Sequence, residues 1–364
     1  MILLVADPTP LRIVHVGNFG FKPTKVYLHG VAAKLTNGWV RAGHHVINFS
    51  DRDVARWTSL FGHRKGGVKP ANRILLGLCQ SVRPEVLALG HADVIRPETV
   101  AAIREALPDI KILQWNVDPI FDGDKMAVDN RGRIRAKQHV VDATFISTAG
   151  EGLRQFTDGG RRVVGFLPNP VDPSLERGRN FERETLPHDV FLAIGDGAER
   201  RHHVGDWRIP DALAADLKAA LPQLSFSMHG VLGLPNIAGP AYEAAILSCA
   251  AGLNFSRRND TYLYSSDRIA HLAGNGLAVH IERATGYGDL FGEDAFAFYS
   301  SEAELIDNMA RLKREPAVRQ AIAQAGWRRY FELFDTKIVA QYMLDVVMGT
   351  HDPARYAWPT MVEG

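Results

Sequence analysis

Short apolar runs rich in Val, Ile and Leu alternate along the chain with longer segments whose apolar positions recur every three or four residues. The first pattern predicts buried parallel strands, and the second predicts amphipathic helices laid over them. Strands are expected at residues 11–16, 44–50, 86–89, 111–115, 143–147 and 163–167. Helices are expected between most of them, one from about Lys25 to Ala42 with Gly43 as a left-handed cap, another over Pro97–Ala106. A proline-rich, charged stretch from Pro168 to Pro187 interrupts the alternation and reads as an interdomain linker. A second series follows, with strands at 188–195, 224–228, 252–256, 277–281 and 295–298, and helices near Asp211–Leu221, Tyr242–Cys249 and Asp267–Ala273. Ser301 with Glu304 spells a capping box before a helix carrying Leu305, Met309 and Leu312 on one face. Pro316 opens a further helix, and a last one is expected over about Thr336–Met348. Two strand–helix series predict an α/β protein with two Rossmann-like halves and a cleft between them.

Composition agrees with this reading. At about 150 residues per domain, 364 residues suggest two domains. Hydrophobic residues at 46% and charged residues at 23% exclude wholesale disorder. Forty-two basic against 41 acidic residues give a net charge of +1 and no sign of a nucleic-acid binder. The two cysteines, Cys79 and Cys249, stand far apart, which excludes a disulfide scaffold and a thiolate zinc site and fits a reducing compartment. Every apolar stretch is too short to span a membrane or is broken by charge or glycine. The start, MILLVADPTPLRIV, lacks a basic leader and a long apolar core, so a strand or packed extension is expected there rather than a signal peptide. A cytoplasmic protein is expected, with peripheral contact at the inner face of the membrane left open.

In open α/β sheets ligands sit beyond the carboxyl ends of the strands. Four segments in such places carry candidate chemistry. The first, His15 to Lys25, includes Gly17, Asn18 and Gly20; its glycines let backbone approach a ligand, or they serve an ordinary βα turn. The second, Gln114-Trp115-Asn116-Val117-Asp118-Pro119, gathers polar groups where a buried strand ends. Asp118 suits a general base or a nucleophile toward an anomeric carbon, against the plainer reading of an Asp-Pro turn. The third runs from Gly195 to His203. Arg200 and Arg201 beside glycines suit a diphosphate, since guanidinium groups pair with phosphate oxygens two at a time. A solvated basic loop explains them equally, and the vicinal histidines lack a third spaced ligand for zinc. The fourth holds Asn254 and Ser256, then Ser265, Ser266, Arg268 and His271 at the start of a short helix. Either serine can cap that helix, and hydroxyls and free amides there can hold a phosphate.

Several stretches carry a resemblance. HGVLGLPNIAGPAYEAAILSCAAGLNFS, YLYSSDRIAHLAGNGLAVHI and FYSSEAELIDNMARLKREPAVRQAIAQAGWRRY resemble the carboxyl-terminal half of the CgeB-like, spore-maturation-type glycosyltransferases, relatives of the GT-B superfamily. QWNVDPIF, DATFISTAGEGLRQF and VVGFLPNPVDP are similar to its first half. The resemblance implies a GT-B-like fold: residues 1–170 as a Rossmann-like acceptor-side domain, 171–188 as linker, 189–335 as the nucleotide-sugar domain, and 336–364 as a helix and tail returning to the first domain. It implies transfer of a sugar from a nucleotide-sugar donor, a substrate rather than a cofactor, to a glycan, glycolipid or protein acceptor in bacterial surface glycan assembly, with no metal required.

On that implication Gly195, Arg200, Arg201, Asn254, Ser256, Ser265, Ser266, Arg268 and His271 hold the donor. Gly17, Asn18, Gly20, Gln114 and Asn116 face the acceptor, and Asp118 and His15 are catalytic. The chain departs from the paired glutamates of many retaining relatives, with Leu263 and His271 in their places. A CMP-linked ulosonic acid of the Kdo type is therefore an alternative donor. A nucleotide-sugar epimerase, or a non-catalytic sugar-nucleotide or polysaccharide-binding protein, is the alternative function.

Overall fold

The computed structural model describes residues 9–20, 30–121 and 125–361. Six strands, β1 (Arg12–Gly17), β2 (His45–Ser50), β3 (Val86–Gly90), β4 (Lys111–Asn116), β5 (Ala143–Ile146) and β6 (Val163–Phe166), form one parallel sheet in the order β2-β1-β3-β4-β5-β6. After β7 (His188–Ala193) comes a hairpin of β8 (Arg201–His203) and β9 (Asp206–Arg208). Then β10 (Phe226–His229), β11 (Cys249–Leu253), β12 (Ala278–Glu282) and β13 (Ala297–Tyr299) complete a second parallel sheet, ordered β10-β7-β11-β12-β13. Strands such as β3 and β11 are buried at every residue because helices cover both faces, which is why the sequence runs apolar there instead of alternating.

The expected elements recur within a few residues. The helix expected from Lys25 begins at Val31, with residues 21–29 outside the described residues, and Gly43 beyond its end has φ +93°. Ser301 Oγ accepts from the Glu304 amide at 3.1 Å, but the Glu304 carboxylate reaches back to the amide of Ser300, at 2.7 Å, instead of that of Ser301. The β8–β9 hairpin stands where a loop was expected. Its turn, Val204-Gly205, has φ +49° and +81°, the geometry of a two-residue hairpin turn without the usual Asn-Gly signal.

The stretch expected as a linker is packed in part, with residues 168–172 buried and 182–185 exposed. Val171 bridges to Asp335, and Asn180 Nδ2 donates to the carbonyls of Ile246 and Cys249 at 3.1 and 2.8 Å. The helix Thr336–Met348 returns to the first sheet and lies against the helix Val31–Arg41. Trp39 Nε1 donates to the Ala340 carbonyl at 3.0 Å and Thr336 Oγ1 to the Lys34 carbonyl at 2.6 Å. The backbones come so close that a Cβ on Gly38 would lie 2.3 Å from the Thr336 carbonyl oxygen. Among the described residues no helix is long and apolar enough to cross a membrane.

In each sheet the strand order reverses at one point, between β1 and β3 in the first and between β7 and β11 in the second. Crevices for ligands open at such points.

Candidate functional site

A cleft lies at the first reversal point. Asn18 follows β1, His91 follows β3, and Trp115, Val117 and Asp118 end β4; the second half contributes Asp267. The chain turns sharply after β3, with φ +55° at His91 and +41° at Ala92, strain of the kind that collects at binding sites. Gly90 is required there, because a Cβ would stand 2.1 Å from the Trp115 ring. Asn116 is buried and sets the geometry of its neighbours: its Oδ1 accepts from the Asp118 amide at 2.8 Å and its Nδ2 lies 3.3 Å from His91 Nδ1. The Asp118 side chain, 44% exposed, sits 3.5 Å from His91 Nδ1. Burial pushes the His91 imidazole down, Asp118 opposes that, and Arg52 adds to it. A neutral imidazole thus stands beside an open carboxylate, an arrangement able to take a proton from a hydroxyl in the cleft.

The second half presents positive charge over the ends of β7 and β11. Arg268 donates from Nε to the Ala193 carbonyl at 2.9 Å and from Nη1 to the Phe255 carbonyl and Ser266 Oγ at 3.1 and 3.2 Å. Arg201, buried, reaches the same Phe255 carbonyl at 3.4 Å and lies over the Phe255 ring. Burial, then Arg268, then Arg257 bring the Arg201 guanidinium down to about 10. Gly195 between them is exposed, with open space where a Cβ would stand, so a ligand can approach the backbone. Arg257 is already matched to Glu199.

A buried polar chain joins the halves. Lys34, fully buried on the helix Val31–Arg41, pairs with Glu176 at 2.7 Å and Asp267 at 3.3 Å and donates to the Pro170 carbonyl at 3.1 Å. His271 Nε2 lies 3.1 Å from Asp267 Oδ2, and its Nδ1 lies 3.0 Å from the Tyr242 hydroxyl. Burial works to raise Asp267, but Lys34 and then His271 outweigh it and hold the carboxyl down to about 2. Phe121 and Tyr264 meet edge to face at 5.2 Å across the same boundary.

Placement alters several expectations. His15 is fully buried and both ring nitrogens are occupied. Thr36 Oγ1 donates to Asn48 at 2.8 Å, so His15 Nδ1 donates to Thr36 at 2.9 Å and Nε2 accepts from Trp115 Nε1 at 3.3 Å. Burial drops its pKa to about 3. His15 therefore supports Trp115 from beneath and does not face the cleft. Gln114 is also buried, bonded to the Ile134 carbonyl and Thr144 Oγ1, and is a core contact. Gly17 packs against Ala32, and Gly20, φ +62°, is the last residue described before 21–29.

Asn254, Ser256 and Ser265 are buried and bonded to one another, while Ser266 alone of the three serines keeps partial exposure next to Arg268. Neither serine caps the helix Arg268–Gly274; its cap residue is Asp267, without a side-chain capping bond. Arg200 is exposed. His91, Arg52, Lys34, Glu176 and Asp267 escaped the sequence reading. His91 carried a usable signal, since it directly follows a predicted strand. The others had none, because they meet only through packing. Among the described residues no group of three or more His, Cys, Asp or Glu is disposed to hold a metal. A second cavity touches Asp189, Val190, Ala250 and Ala251 at the amino ends of β7 and β11, opposite the carboxyl ends at which ligands sit in such sheets.

Residues 208–345 match the family described as glycosyl transferase-like. No curated protein matches by sequence. The chain is similar in structure to Anabaena HepE, solved with UDP-glucose, at 11% identity and TM-score 0.59 over 93% of this chain and 100% of that one. It is similar to sucrose-phosphate synthase from Thermosynechococcus elongatus, at 11% identity and TM-score 0.62 over 93% and 98%. Trehalose 6-phosphate synthase from Burkholderia multivorans gives 10% identity and TM-score 0.59 over 93% and 96%. At such identities the likeness shows the fold alone, a GT-B-like pair of Rossmann-like halves.

Proposed function

We propose that this protein transfers a sugar from a nucleoside-diphosphate donor to an acceptor hydroxyl. The observation that carries the reading is the pair Arg201 and Arg268, two guanidinium groups over the β7–β11 reversal point without a carboxylate partner. A diphosphate supplies the missing negative charge, and each guanidinium can take phosphate oxygens in a bidentate manner. The glycosyl transferase-like match over 208–345 and the UDP-glucose held by Anabaena HepE support the same assignment.

In this reading the donor's anomeric carbon lies toward the cleft lined by Asp118. The acceptor oxygen attacks that carbon, the bond to the diphosphate breaks, and the hydroxyl proton passes to the Asp118 carboxylate. Arg201 and Arg268 take up the charge that grows on the leaving diphosphate, stabilisation that matters most in a partly dry site. Asn116 and His91 position Asp118. The carboxyl-terminal motifs favour the CgeB-like branch, with a glycan, glycolipid or protein acceptor. His271, the residue that suggested an acidic Kdo-type sugar, is engaged by Asp267 and Tyr242, so the diphosphate donor is preferred.

Thermal denaturation with UDP, GDP and CMP tests the donor, because a ligand of the native state raises the melting temperature. A rise with UDP or GDP and none with CMP is expected. A rise with CMP alone would point to the ulosonic donor. Conversion of a sugar nucleotide to its epimer without acceptor would replace transfer by epimerisation, and binding without any turnover would leave a binding protein.

A further inference from the structure

The most exposed apolar side chains of the described protein cluster on one loop. Trp57 is 68% exposed, Leu60 92% and Phe61 80%. The loop leaves the helix Asp51–Trp57 and re-enters at the helix Val68–Val82. Its base is pinned: a Cβ on Gly67 would lie 1.6 Å from the Ala55 carbonyl oxygen, so the backbones there touch. Its tip is bare. Such exposure leaves Leu60 almost no neighbours, at a cost that a soluble protein rarely sustains without a use.

Charge gives the second observation. Residues 54–84 contain no Asp or Glu and six Lys or Arg, in a chain whose net charge is +1. Arg64 and Lys65 on the loop, and Lys69 and Arg73 on the helix that follows it, are exposed. Aromatic and aliphatic groups at a tip, followed by exposed cations, match the interface of an anionic bilayer, where rings and chains enter the headgroup boundary and cations meet phosphates. A protruding tip needs no complementary pocket in a fluid surface.

We propose that the loop Trp57–Lys65 docks the protein on an anionic phospholipid bilayer. The loop is coupled to the cleft. Asp93 accepts from Arg52 Nε and from Arg64 Nη1, each at 2.9 Å, and Arg52 lines the cleft while Arg64 belongs to the loop. Docking therefore sets the Asp118 side of the cleft close to the membrane surface. The docking itself does not depend on the sugar-transfer reading.

The test is flotation of the full chain with vesicles of phosphatidylcholine alone or with phosphatidylglycerol added. Binding is expected on the anionic vesicles and not on the neutral ones, with a blue shift of tryptophan emission that Trp57→Phe removes. Leu60→Ser combined with Phe61→Ser is expected to weaken binding about tenfold or more, with an unchanged melting temperature because nothing packs on these side chains. Lys65→Gln with Lys69→Gln and Arg73→Gln is expected to weaken it by a similar factor, as does added salt. Equal flotation of parent and Leu60/Phe61 variant, or equal flotation on both vesicles, overturns the proposal. So does a dimer in light scattering that the Leu60/Phe61 variant dissociates while neither form floats, which would make this face a contact between copies.

Discussion

Arg201 and Arg268 donate to one and the same carbonyl oxygen, that of Phe255, at 3.4 and 3.1 Å, and neither makes an ion pair with a carboxylate among the described residues. Like charges held this close repel, and burial removes the water that would screen them. The arrangement is costly until an anion arrives. Arg268→Met is expected to weaken UDP binding by about ten- to a hundredfold, the loss of one or two charged hydrogen bonds. The melting temperature of the free protein should move little, since relief of repulsion offsets the lost bonds to Ala193 and Phe255. Calorimetric titration with UDP checks this, and unchanged affinity would remove Arg268 from the donor site.

Asp118 is open to the cleft while its amide is tied to Asn116. Asp118→Asn keeps the shape and the backbone bond but cannot take a proton. Transfer is expected to fall by at least about a hundredfold, with UDP affinity and melting temperature unchanged. Full transfer activity in the variant would place the base elsewhere.

Lys34 stands between the buried carboxylate of Glu176 and the part-buried one of Asp267. Lys34→Ala is expected to cost about 3–5 kcal/mol, because two carboxylates then lose their counter-charge inside the protein. Lys34→Met combined with Glu176→Gln should cost clearly less. Urea denaturation of the two variants checks the order. Asp267 is held at about 2 against an ordinary 3.8, so its contribution is complete above pH 4 and fades as pH falls toward 2.

Glu282 is 3% exposed and burial lifts its carboxyl to about 7 from 4.5, with the Val204 amide opposing and Asp260 adding to the rise. A raised acid binds its proton more tightly folded than unfolded. Stability should therefore decline as pH climbs from about 4.5 to 7. Glu282→Gln mimics the protonated form; it should match the parent near pH 5 and exceed it at pH 8. Melting curves across this range check it, and parallel curves for the two proteins would contradict it.

The elements were legible where burial has a period. All of β3 is buried and reads as an unbroken apolar run, and Leu305, Met309 and Leu312 mark the inner face of their helix. Asp118 and Arg268 stood out in the sequence because they sit just past a predicted strand or at a helix start, and they lie on the cleft and over the ends of β7 and β11. His15 misled for the same reason: a histidine at a strand end looks like chemistry, yet its ring is taken up by Thr36 and Trp115. The β8–β9 hairpin was hidden because Val204-Gly205 lacks the residues that announce such a turn.

What the chain's own order of residues determined is local and repeated: strands of apolar β-formers, helices with one greasy face, glycines where the backbone turns, and hence two parallel sheets with loops at their carboxyl ends. Only the tertiary structure decided which loops face each other. Lys34 and Asp267 are 233 positions apart and meet because the helix Thr336–Met348 packs on the helix Val31–Arg41 and because the segment after Pro168 runs inside the protein. Periodicity records how deeply a residue is buried, and it carries no information about what lies across a cleft; that is settled by the packing of whole elements.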